Sequence, residues 1–134
     1  MIEKLIPKSC KYLKIGRQIP LHNQGTPIRN WLHAQDTANA VIRIVESGIK
    51  NEIYNICGGF EKNNLEVVEK IIKLYHKECK DISSYLDFSI GRPGQDIRYA
   101  LDDSKLRKLG WKPIKKFDDE IVDIVEFYRN KFIW

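Results

Sequence analysis

The sequence predicts an α/β domain with few strands and more helices, and three observations carry that expectation. Apolar stripes recur at helical spacing, short apolar runs stop at glycine or proline turns, and 134 residues is the length of one ordinary domain. A chain of this size buries roughly two-thirds of its unfolded surface on folding, so residues 1–134 are expected to form a single unit with its own core.

The first helix is read over Met1 to Ile15, where Ile2, Leu5, Ile6, Leu13 and Ile15 repeat around a first-turn Pro7 and Gly16 ends the run. Ile19-Pro20-Leu21-His22 is then a short extended piece closed by a turn at Asn23 to Pro27, and Ile28 to His33 alternates loosely. Asp36 is expected to cap a helix over Thr37 to Ser47, with Val41, Ile42 and Val45 as its buried stripe and Gly48 as its stop. Glu52 to Cys57 is apolar at adjacent as well as alternating positions, the pattern of a strand covered on both faces, and it halts at Gly58-Gly59. Asn63 followed by Glu66 makes a capping-box start for the clearest helix, Leu65 to Lys77, with Val68, Ile71, Ile72 and Tyr75 in register. Leu86 to Ile90 and Tyr99 to Leu101 read as short extended pieces. Asp102 or Asp103 caps a helix ending at Gly110, and Asp118 opens a last helix with Ile121, Val125, Tyr128 and Phe132 on one stripe.

Composition narrows the class of function. With 43% hydrophobic and 31% charged residues the chain reads as globular and soluble, and no apolar run approaches the ~20 residues of a membrane span. No leader's apolar stretch follows Met1, so the expected location is the cytoplasm. Cys10, Cys57 and Cys79 are odd in number and far apart, which implies reduced core thiols rather than disulfides or a zinc site. The formal charge of +5 is mostly lysine on helical faces without interleaved aromatics. That pattern argues against nucleic acid and fits a phosphate-bearing small ligand.

Catalytic groups are scarce. His76 is expected to be exposed on a lysine-rich helix, His33 to pack at a strand end, and His22 to stand beside a polar turn as a ligand contact. The carboxylate pairs Asp102-Asp103 and Asp118-Asp119 stand at helix starts, where capping and the helix dipole account for them. A Tyr-x-x-x-Lys pair is absent: four residues after Tyr12 and Tyr54 stand Gly16 and Gly58. Gly58-Gly59 also lacks the G-x-G-x-x-G spacing of a dinucleotide turn.

Arg29 and Arg92 differ from the other basic residues. Each stands beside a proline or glycine turn, where a guanidinium projects from a fixed backbone and can grip phosphate through two parallel hydrogen bonds; a structural ion pair is the alternative. Asn55, inside an apolar run, also requires a partner for its amide.

Four ordered stretches together resemble one family. Glu3-Lys4-Leu5-Ile6-Pro7, Ile28 to His33 with Asp36, Glu52 to Ile56 with Gly58-Gly59, and Arg92 to Ala100 with Leu109-Gly110-Trp111-Lys112-Pro113 are similar, in order and spacing, to the C-terminal part of dTDP-glucose 4,6-dehydratases of the extended short-chain dehydrogenase/reductase superfamily. The resemblance implies the substrate-binding portion of that fold, lacking most of the Rossmann sheet. It implies that Glu3, Lys4, Leu5, Ile6 and Pro7 form a helix start beside a nucleotide-diphosphate sugar, that Pro20, Leu21 and His22 contact base and ribose, that Arg29 and Arg92 neutralise the diphosphate, and that Asn55 meets the nucleotide. Pro93, Gly94 and Gln95 complete the Arg92 turn. Family chemistry is an internal hydride cycle on NAD, and its glycine-rich NAD site, Tyr-x-x-x-Lys pair and acidic pair belong to a part N-terminal to these motifs. No cofactor is therefore expected on this chain alone, and NAD is implied for the complete enzyme.

Gly91 and Gln95 stand where the family commonly has an aspartate and a histidine, which implies an altered base or sugar preference. Met1-Ile2 fall inside a family motif, which implies a truncated, split or recombined gene product or an isolated domain. The leading expectation is a nucleotide-sugar-binding part that is inactive alone. The competing one is a non-enzymatic interaction module or homo-oligomer, pairing through exposed strand and helix faces or with a missing Rossmann part.

Overall fold

A computed structural model describes residues 4–131. Its framework is a three-helix packing of α1 (Leu5–Lys14), α3 (Asn64–Tyr75) and α5 (Phe117–Asn130). Cys10 and Leu13 of α1, Val67, Val68, Ile71, Ile72 and Tyr75 of α3, and Ile121 and Val125 of α5 are buried in one cluster, which Ile19, Leu21 and Leu86 extend. Truncating Ile71 or Ile72 here costs about 2–5 kcal/mol, because the walls of such a core relax only partly around the gap.

Local sequence explains each helix end. Pro7 lies in the first turn of α1, where its missing N–H has no intrahelical partner to lose. At the other end Gly16 takes φ +67°; its N–H reaches the Leu13 carbonyl and the Arg17 N–H reaches that of Tyr12, which closes the last turn. Helix α3 starts with the expected capping box: the Asn63 Oδ1 accepts from the Glu66 N–H at 2.8 Å, and Glu66 Oε2 accepts from the Asn63 N–H at 2.8 Å. Helix α5 carries Asp118, Asp119 and Glu120 in its first turn, complementing its dipole, although its N-cap Lys116 makes no side-chain cap bond.

Strands are short. β1 (Ile19–Pro20) pairs in parallel with β4 (Leu86–Asp87), in the register Ile19 to Leu86. β2 (Ile28–Asn30) pairs antiparallel with β3 (Glu61–Asn63), Arg29 opposite Lys62, and Ile28 forms one parallel bridge to Arg98. The expected Leu86–Ile90 strand therefore ends at Asp87, and Tyr99–Leu101 joins no ladder among the described residues. β3 is a polar strand that hydrophobic patterning does not announce.

A second cluster lies under α2 (Ala34–Ser47) and the short α4 (Ser104–Arg107). Ala40, Leu106 and Trp111 are buried there, with Leu32, Ile44, Tyr54, Ile56 and Leu109 against them. Two expectations about α2 are corrected. Its cap is His33, whose Nδ1 accepts from the Gln35 N–H, while Asp36 is a fully buried tie, its carboxylate accepting from the N–H groups of Ile114 at 3.1 Å and Lys115 at 3.0 Å. The expected buried stripe of Val41, Ile42 and Val45 instead faces outward, Val45 being 73% exposed, because Ala40 and Ile44 face the cluster. Gly48 stops the helix at φ +65° as expected.

Glu52 to Cys57 is not a strand either: among the described residues its backbone makes no ladder, and Ile53 is 85% exposed. His76 ends α3 rather than riding on it and stacks on Tyr85, ring centroids 4.9 Å apart. Cys10 and Cys57 are buried thiols, whereas Cys79 is half-exposed; burial pushes Cys10 up to about 12, so it stays protonated at neutral pH. No helix of the described residues is long and apolar enough to cross a membrane.

Several carboxylates are held below their ordinary range. Burial pushes Asp103 up, but the Arg107 guanidinium at 2.7 Å and the Gly58 N–H at 2.9 Å outweigh it, and Asp102, beside it, is lowered by the Ser104 N–H. A carboxyl depressed in the folded state contributes stability that is complete above its unfolded value and is lost as pH falls through the folded one. Thermal melts should therefore be level from about pH 7 to about pH 5 and drop steadily below about pH 4, and Asp103→Asn should flatten part of that drop. Equal melting temperatures at about pH 7 and about pH 3 would contradict this assignment.

Candidate functional site

The site is assembled from three segments that meet at the edge of β2. The first is the 3-10 turn His22–Gly25, in which Asn23 and Gln24 adopt left-handed backbone angles, φ +49° and +58°. Gly25 at φ +74° fits because a Cβ there would lie 2.8 Å from that of Leu65. Asparagine tolerates the left-handed region better than most residues, and here the fold uses the direction it gives the side chain. Asn23 Oδ1 accepts from the Arg92 N–H at 3.0 Å, while Nδ2 donates to the Arg92 carbonyl at 3.2 Å and to Gln95 Oε1 at 3.1 Å.

The second segment is the Arg92 turn itself. Arg92-Pro93-Gly94-Gln95 closes with Gln95 N–H on the Arg92 carbonyl at 3.3 Å, with Gly94 at φ +71°, the positive angle that a type II turn demands after its proline. One amide therefore grips both backbone groups of Arg92, and the exposed guanidinium projects from an anchored turn.

The third segment is β2. The half-buried Arg29 donates through Nη1 to the Ile28 carbonyl at 2.6 Å and through Nη2 to the Asp96 carbonyl at 3.0 Å, and its Cζ lies 4.2 Å from the centre of the Tyr99 ring. Two carbonyls and a ring face fix the fork while leaving further N–H donors of the guanidinium for a ligand. Asn30 Nδ2 donates to the Tyr99 carbonyl at 2.8 Å, so β2 also holds the strip that carries Tyr99.

Tyr99 reports how these parts meet. Its phenol is pushed up, first by hydrogen bonding to Asp96 and by that carboxylate's charge, and both Arg29 and Arg92 pull it back down. Sequence reasoning did not single out Tyr99 or Asn23; the left-handed preference of asparagine in His22-Asn23-Gln24-Gly25 was the available signal. Arg98, directly before Tyr99 in sequence, is held instead in a bidentate pair with Glu61.

The remaining expected residues fall into distinct places. Glu3 lies outside the described residues; Lys4 is the exposed N-cap of α1, and Leu5, Ile6 and Pro7 form its half-buried first turn, Leu5 and Ile6 packing against the core. Leu21 is a core side chain, which leaves Pro20 and His22 as the partly exposed members of their run. Among the described residues His22 Nδ1 is buried without a hydrogen-bond partner, an orphan that costs about 1–3 kcal/mol unless something satisfies it. Asn55 is exposed rather than buried, and its amide donates to the Asp102 carbonyl at 3.1 Å; no described contact links it to Arg29 or Arg92.

Comparison with known proteins decides the family. The family model described as GDP-mannose 4,6 dehydratase matches residues 1–124. The chain belongs to this family.

Among curated members of the dehydratase group, the dTDP-glucose 4,6-dehydratase of Salmonella typhimurium is 39% identical over 98% of this chain and 38% of its own length. Solved dTDP-glucose 4,6-dehydratases from Streptomyces venezuelae, with NAD bound, and Bacillus anthracis, in complex with NAD, superpose with TM-scores of 0.86 and 0.83. Each is 32% identical over 96% of this chain and 39% of theirs. The chain therefore spans about two fifths of the length of these dehydratase relatives and corresponds to a C-terminal portion of the extended short-chain dehydrogenase/reductase fold.

The Gly58-Gly59 turn does not form a dinucleotide cradle. The glycine pair at the end of the 52–57 run is the nearest thing to a dinucleotide turn, yet the Gly58 N–H is taken by Asp103 Oδ2, a negative charge, and Leu32 Cδ1 stands 2.8 Å from where a Cβ on Gly58 would be. A pyrophosphate cradle needs free, converging N–H groups and room for the backbone to approach the anion.

Proposed function

We propose that this chain is the part of an NAD-dependent sugar-nucleotide 4,6-dehydratase that binds the nucleotide-diphosphate sugar. Arg29 and Arg92 hold the diphosphate, the His22 turn faces the nucleoside, and no catalytic residue is contributed. The observation that carries the reading is the anchoring of both arginines at one edge: Asn23 grips both backbone groups of Arg92, and two carbonyls and the Tyr99 ring hold the Arg29 fork. A structural ion pair does not account for either: among the described residues both guanidiniums lack a carboxylate partner within salt-bridge distance, whereas Arg98 and Arg107 have one. Family membership supports the substrate class, since the relatives bear the name dTDP-glucose 4,6-dehydratase.

Because the grip is on phosphate, affinity should depend on phosphate count. Calorimetric titration is expected to give dTDP binding about tenfold or more tighter than thymidine, with the difference shrinking as salt screens the exposed Arg92. Equal affinity for the two ligands would overturn the diphosphate assignment.

A further inference from the structure

We infer that Asn23 is a positioning residue through which the nucleoside end and the diphosphate end of the site order one another, its amide tying the His22 turn to the loop that carries Arg92. The inference rests on the diphosphate reading above and adds regulation to the same site. Residues 90–95 run between two fixed points. On one side the Ser89 N–H is held by Asp87 Oδ1 at 2.9 Å; on the other the Asp96 carbonyl accepts from Arg29 Nη2 at 3.0 Å and the Ile97 carbonyl from the Ile28 N–H at 2.7 Å. Between those points, among the described residues, Asn23 alone in the rest of the fold hydrogen-bonds the loop. Arg92, Pro93 and Gly94 are all exposed, so packing adds little to that tie.

The backbone dictates the polarity of the tie. The Arg92 N–H can only donate and its carbonyl can only accept, so Asn23 turns Oδ1 to the first and Nδ2 to the second. Nδ2 then meets Gln95 as a donor, Gln95 answers with Oε1, and its own Nε2 is left with no partner among the described residues. The free groups of the turn are therefore donors, a guanidinium and an amide nitrogen, as a diphosphate requires.

Asparagine meets both demands of position 23. Its backbone at φ +49° would suit glycine, which has no amide, and its bonds to the Arg92 carbonyl and Gln95 exclude aspartate, whose oxygens cannot donate. The His22 turn is also costly to hold by itself. Gln24 is left-handed too, at φ +58°, and His22 Nδ1 is the one buried side-chain polar atom without a partner among the described residues. A strained, incompletely bonded turn and a loop on a single tie are each ordered by whatever holds the other, so a ligand at either end favours binding at the other to the same degree.

Nuclear magnetic resonance titration of this chain tests the coupling, with thymidine and inorganic pyrophosphate as the two halves of the ligand. Saturating thymidine should tighten pyrophosphate binding about fivefold or more, and Asn23→Gly, which keeps the left-handed backbone accessible, should reduce that factor below about twofold. Asn23→Asp, an isostere that keeps the Arg92 N–H bond alone, should lose the coupling as well. Asn23→Gly should also weaken dTDP binding about tenfold when Arg92 is present and less than about threefold in the Arg92→Ala background, because Asn23 acts through Arg92. Three results would overturn the inference: independent binding of thymidine and pyrophosphate, coupling that survives Asn23→Gly, or an equal loss of dTDP affinity in both arginine backgrounds, the mark of a purely structural residue. Binding of dTDP without coupling sinks this inference alone, whereas absence of dTDP binding in the unaltered chain sinks the diphosphate reading on which it stands.

Discussion

Asp36→Ala is expected to lose about 2–4 kcal/mol of unfolding free energy, among the largest effects of any single polar substitution in this chain. The carboxylate is fully buried and reaches across the fold to the Ile114 and Lys115 N–H groups, while its own backbone carbonyl accepts from Trp111 Nε1 at 3.1 Å. Alanine keeps the carbonyl and strands two donors in a part-buried loop. Asp36→Asn keeps one acceptor and should recover roughly half of the loss. Urea denaturation followed by circular dichroism reads both values. An alanine variant within about 0.5 kcal/mol of the unaltered chain would show that water replaces the carboxylate without cost.

The second large effect concerns binding. Replacing both Arg29 and Arg92 with alanine should lower dTDP affinity by about a hundredfold or more, since each charge-assisted grip on phosphate is worth roughly 1.5–3 kcal/mol where it is not fully screened. Arg92→Ala alone should leave stability unchanged, because the Arg92 contacts within the fold are made by its backbone. Arg29→Lys should lose more affinity than retention of charge would suggest, because an ammonium cannot span the Ile28 and Asp96 carbonyls, lie flat on Tyr99 and still present a fork. Calorimetry on the three variants separates these outcomes, and a double variant within about threefold of the original affinity would remove both arginines from the site.

Legibility in the sequence followed the range of the interactions. The Asn63–Glu66 capping box and the Gly16 and Gly48 stops are settled within a few residues, so local pattern identifies them. The α3 stripe was legible because its partners, α1 and α5, lie within the chain. The α2 stripe misled for the complementary reason: apolar periodicity says that a face wants cover, not that the cover is present, and Val41, Ile42 and Val45 lie open. Glu52–Cys57 failed as a strand in the same way, since a ladder needs a neighbour.

Asp36 looked like a helix cap because its residue type and place allow one, whereas its actual partners are 78 and 79 positions away. At the candidate site the turn residues around Arg29 and Arg92 exposed both arginines to sequence reasoning. Asn23, which anchors Arg92 across 69 positions, became visible only in three dimensions.

The most direct measurement of the central claim is an amide and side-chain NMR titration of this chain with dTDP. Two guanidiniums on one phosphate pair predict saturable shifts in the Arg29 and Arg92 side-chain Nε–H signals and in the Tyr99 and Gln95 amides, all following a single binding curve. Shifts confined to other surfaces, or none at millimolar dTDP, would contradict it.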